Sequence, residues 1–107
     1  MALITDMRHF LDENGYLHQA IPKPALGLAL FQGSIVAWVS MCSSLPNYPH
    51  TNVACRHRNK RTPCIGEIFA ALDPSGDTIE WHCPRCSDEG FIRGWEGTPW
   101  DRRMPDA

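Results

Sequence analysis

The 107-residue chain has no dominant charge: ten basic and twelve acidic side chains leave a formal net charge of −2. No global field therefore draws it to nucleic acid or to anionic lipid, and any such attraction must be local. It also lacks a Ser–His–Asp set, a phosphate-cradling glycine loop and an H-E-x-x-H stretch, which takes away the usual sequence arguments for hydrolase, nucleotide and metalloprotease chemistry. There is no internal repeat and no low-complexity tract, so a repeat array is excluded. The first residues, MALITDMRHFLDENG, carry acids and a histidine where an export signal has an apolar run. A cytoplasmic setting is expected, in which thiols stay reduced and clustered cysteines mean metal or redox chemistry.

What is present is ordinary globular composition, 43% hydrophobic and 21% charged, in a length suited to a single domain over 1–107. So short a chain buries a small core with little margin. The stretch ALGLALFQGSIVAWVSMC, residues 25–42, carries no charge and approaches the length of a membrane span. Gln32, Gly33 and Ser34 at its centre suit lipid poorly, and Pro22 and Pro24 flank Lys23 just before it. Two apolar runs around Gln-Gly-Ser predict a buried β-hairpin, and no membrane is expected.

Before that stretch, TDMRHFLDE, residues 5–13, spaces Met7, Phe10 and Leu11 as on a helix, with Thr5 as N-cap and Gly15 as stop. QAIPKPALG reads as an extended linker and SSLPNYPHTN, residues 43–52, as a loop. Beyond Cys55 the pattern becomes strand-like. Ile68, Ala70 and Leu72 alternate, DPSGD turns with Gly76 free to take a positive φ, and Ile79, Trp81 and Cys83 alternate again. GFIRGW then returns as a third strand, with Phe91 and Trp95 on one face. The predicted fold is α+β and mostly β. An N-terminal helix and apolar hairpin (1–52) pack on a C-terminal three-stranded antiparallel zinc ribbon (53–101), followed by a tail (102–107).

The cysteines carry the chemistry. WHCPRC presents Cys83 and Cys86 at C-x-x-C spacing, a turn that places two sulfurs on one side of an ion, with Pro84 stiffening it. CRHRNKRTPC sets Cys55 and Cys64 at the ends of a wider loop, and residues 65–82 match the hairpin that separates ligand pairs in a ribbon. One Zn²⁺ per chain, held by Cys55, Cys64, Cys83 and Cys86, is the reading. Four thiolates close the tetrahedron and leave no water position, which argues against catalysis. His57 is a rival ligand to Cys55. Cys42 reads as a small core residue, and His9, His18, His50 and His82 as surface residues.

The pattern over 55–101, ending DEGFIRGWEGTPWD, resembles a group of small, uncharacterised bacterial proteins with a rubredoxin-like or zinc-ribbon C-terminal half. That resemblance implies the same four cysteine ligands, and other residues where this chain has His57. It implies no activity. Three functions remain in competition. A nucleic-acid module would use Arg56, Arg58, Lys60 and Arg61 against phosphates. A protein adaptor would use Trp95 and Trp100. A thiol-disulfide oxidoreductase would use Cys83 and Cys86.

Overall fold

The structure, a computed structural model, describes residues 3–41, 50–56, 58–59, 62–73 and 76–102. Five strands form one sheet: β1 (Leu3–Asp6), β2 (His50–Ala54), β5 (Glu67–Leu72), β6 (Ile79–His82) and β7 (Glu89–Arg93). Their order is β1-β7-β6-β5-β2. A separate two-stranded ribbon joins β3 (Arg58–Asn59) to β4 (Thr62–Pro63). One α-helix, α1 (Lys23–Met41), lies on the sheet and contacts β2 and β5. The mixed, mostly-sheet class agrees with the sequence reading.

The strands β5, β6 and β7 follow alternation. Trp81 stands opposite Ala70 on one side and Gly90 on the other, and Ile79 faces Leu72 and Ile92. Ile68, Ala70, Ile79, Trp81 and Ile92 are buried, while Glu80, His82 and Glu89 face outward. Gly76 turns the β5–β6 connection at φ +85°. The third strand runs in the opposite phase to the expected one. Gly90 and Ile92 face the core, Phe91 faces the other way half-buried, and Trp95 is buried beyond the strand end. The antiparallel trio is also not a sheet by itself. β1 joins its β7 edge in parallel, Ile4 beside Phe91 and Asp6 beside Arg93, and β2 joins its β5 edge across an irregular register.

The first half differs most. The predicted hairpin is α1, and the three residues read as its turn sit mid-helix for separate reasons. The Gln32 amide donates to Thr5 Oγ1 at 3.1 Å, which satisfies part of a fully buried polar group. Gly33 lets the indole of Trp100 lie against the helix. The Ser34 hydroxyl donates back to the Leu30 carbonyl at 2.8 Å. Pro24 occupies the first turn of α1, where its missing N–H costs nothing. The predicted helix over 5–13 is instead β1 followed by a short 3-10 turn at Met7–Phe10, capped by Asp6 rather than Thr5. Met7 and Phe10 are buried as their spacing implied, but Gly15 sits at φ +84° in a tight turn closed on Asp12. Residues 50–52, read as loop, begin β2.

Candidate metal centre

All four candidate cysteines meet at one end of the sheet. Cys55 follows β2, Cys64 precedes β5, and Cys83 and Cys86 lie in the connection from β6 to β7. Their sulfurs fall within 4.8 Å of one another, with Cys55 and Cys83 buried and Cys64 and Cys86 half-buried. The close approaches cross between the pairs: Cys55 to Cys86 and Cys64 to Cys83, each 3.6 Å. A disulfide needs about 2.05 Å, and none of the four cysteines is disulfide-bonded. A tetrahedral ion at 2.3 Å from each sulfur would set them about 3.8 Å apart. The donor set therefore fits a metal ion that takes four soft ligands.

Backbone geometry shapes both sides. Cys83 N–H donates to Asp88 O at 2.8 Å and Ser87 N–H to Cys83 O at 2.9 Å, which closes the C-x-x-C turn. Ser87 completes it at φ 64°, a left-handed conformation that non-glycine residues seldom take. On the opposite side Cys55 N–H donates to Gly66 O at 2.9 Å, and the β3–β4 ribbon takes up the extra residues of the wide loop.

Backbone donors also converge on the sulfurs. Burial pushes the Cys83 thiol up, but the N–H groups of Cys86 and Arg85 and the thiol of Cys64 more than offset this and hold it at about 7. Burial raises Cys86, against an opposing hydrogen bond from Asp88 N–H. Gly66 N–H reaches Cys64 Sγ at 3.4 Å. Gly66 is the site residue that reading by cysteine spacing missed. A Cβ there would stand 2.6 Å from Cys83 Sγ, so any side chain would hold the pairs apart. The signal was a glycine two places after Cys64.

Other candidates are dispersed. The Arg56 guanidinium lies over the Phe31 ring, 5.9 Å from its centroid, and beside Gly27 of α1. Arg58, in β3, pairs through its backbone with Pro63 of β4. Its side chain, and His57, Lys60, Arg61 and Cys42, lie outside the described residues, as do 103–107 of the tail. Trp95 is fully buried and its Nε1 donates to Asp77 O at 3.2 Å. Trp100 is half-buried and edge-on to Phe10. His9, His18 and His82 are exposed. No family model matches the chain, and no curated protein or solved structure matches it.

Proposed function

We propose that this protein is a structural-zinc module of zinc-ribbon type, binding one Zn²⁺ through Cys55, Cys64, Cys83 and Cys86 and presenting the basic loop 56–61 to nucleic-acid phosphates. The observation that carries the metal is the four-sulfur cluster, spaced as a tetrahedral thiolate site requires. The ion would cross-link the β6–β7 turn to both ends of the loop. The chain itself supplies N–H donors, from Cys86 and Arg85, that favour the thiolate of Cys83. A redox dithiol fits less well. Thiol exchange needs an accessible sulfur, and Cys83 has no exposed surface.

The loop argument rests on charge and anchoring. Arg56, Arg58, Lys60 and Arg61 crowd between two ligands, with no acid among them. A loop fixed at both ends loses less freedom on binding, and a run of phosphates answers several cations at once. An adaptor role at Trp95 and Trp100 has less support, because Trp95 is spent on the core.

Metal analysis of protein purified without chelator tests the first half: one zinc per chain is expected. Absence of metal, with four reactive thiols in a folded chain, refutes it. Salt-dependent binding to mixed-sequence nucleic acid tests the second, with a slope set by about three or four phosphate contacts. Alanine at Arg56, Arg58, Lys60 and Arg61 should abolish that binding with zinc retained. No binding at low salt refutes the loop's role.

A further inference from the structure

Among the described residues, only Arg56, Val53 and Arg102 come near the outward face of α1, and its composition is unusual. Gly27, Leu30, Ser34, Ala37 and Met41 recur every three or four residues along it, and Leu30 and Met41 are 52% and 59% exposed. The helix is 19 residues long and carries no charge after Lys23. Ser34 is the only polar side chain in this row, and its hydroxyl is already bonded to the Leu30 carbonyl. Such a surface enters hydrocarbon without stranding a donor or acceptor.

Cations stand at both ends of the row. Lys23 begins the helix, and the Arg56 guanidinium lies 3.8 Å from where a Gly27 Cβ would be. At the other end Arg102 joins Ser34, Ala37, Trp38, Met41 and Val53 around an open recess of about 400 Å³. Among the described residues the one ion pair joins Arg8 to Asp6, so none of these three cations is neutralised by a salt bridge there.

We propose that the outward face of α1 is a docking surface for an anionic lipid bilayer, with Leu30 and Met41 entering the acyl region and Lys23, Arg56 and Arg102 meeting phosphate headgroups. Charge decides the occupant. A second copy would bring cationic ends against cationic ends in either helix orientation, whereas an anionic leaflet answers all three. The opposite face of α1 stays on the sheet, with Ala29, Ile35, Val36 and Val39 buried, so the helix lies in the interface plane and does not span.

Co-sedimentation of the full chain with vesicles of phosphatidylglycerol and phosphatidylcholine in equal parts tests this. Binding is expected at low salt, with release by added salt and none to phosphatidylcholine alone. Lys23→Ala with Arg102→Ala should weaken it by about fivefold per cation. Leu30→Ser with Met41→Ser should weaken it about tenfold or more, while zinc content and circular dichroism stay as in the parent. The proposal is overturned by no binding at low salt, by binding unchanged by the Leu30 and Met41 substitutions, or by protein that only detergent extracts. Dimerisation lost in the Leu30 and Met41 variant, without vesicle binding, overturns it in favour of a second copy.

Discussion

The indole of Trp100 lies against Gly33 of α1, so close that a Cβ on that glycine would occupy the ring's own space. This contact ties the segment after β7 to the middle of the helix, and it explains a glycine in a helix interior. Gly33→Ala gains about 1 kcal/mol of helix propensity but forces the ring aside, at about 1–3 kcal/mol. A net loss near 1 kcal/mol is predicted from urea midpoints. Gly27→Ala has the opposite sign. Among the described residues its Cβ meets only the Arg56 guanidinium, at ordinary contact distance, so it should stabilise by about 0.5–1 kcal/mol. A gain in stability for Gly33→Ala would refute the assignment of Gly33 to close packing.

Cys83→Ser should lose the metal and unfold the strands that meet at the cluster, read by metal analysis and circular dichroism. The ligands must be deprotonated to hold zinc, so the parent should also release it progressively as pH falls. Cys42→Ala should keep one zinc per chain, and a lower stoichiometry would make Cys42 a ligand.

Arg56→Ala should cost stability through the lost stacking on Phe31, about 0.5–1 kcal/mol. Its effect on nucleic-acid binding should be smaller than that of Lys60→Ala or Arg61→Ala. A titration of binding against salt for each variant checks the ranking.

Asp6 accepts hydrogen bonds from the Arg8 side chain at 2.7 and 3.0 Å and from the Arg8 backbone N–H at 3.0 Å. The Arg8 guanidinium, opposed by partial burial, holds the Asp6 carboxyl at about 2, below its ordinary 3.8. A depressed carboxyl stabilises the fold above its unfolded value, and that contribution fades as pH falls from about 4 through about 2. Arg8 is 70% exposed, so water screens the pair and the effect stays small. Asp6→Asn should flatten this part of the stability–pH profile in urea melts, and an unchanged acid limb would refute the assignment.

The residues that were readable from sequence are those whose reasons are local. Ile68, Ala70 and Leu72 alternate with outward neighbours within one strand, and Cys83 and Cys86 announce their turn by spacing alone. The reasons for Gln32, Gly33 and Ser34 are mostly distant. Thr5 lies 27 residues from Gln32, and the ring that needs Gly33 comes from Trp100. Without those partners the trio reads as a turn and α1 reads as a hairpin. β1 was hidden for the same reason, since a four-residue strand is defined by its neighbour, here β7. Gly66 was visible as a letter, but its purpose depends on a sulfur brought back by the β5–β6 hairpin.

The parallel pairing of β1 with β7 sets an order of events during synthesis. Leu3–Asp6 leaves the ribosome early, yet its hydrogen-bonding edge does not exist until Glu89–Arg93 has followed. α1 is likewise made before β2 and β5, the strands it lies on. Nascent chains lengthen by about 5–20 residues per second, so the apolar helix waits for seconds with both faces bare. All four cysteines emerge before β7 is complete, so an ion can clamp the nascent hairpin before the first strand docks. Cells starved of the metal would then accumulate a newborn chain with an uncovered greasy helix, which chaperones and proteases recognise, rather than a folded protein with an empty site.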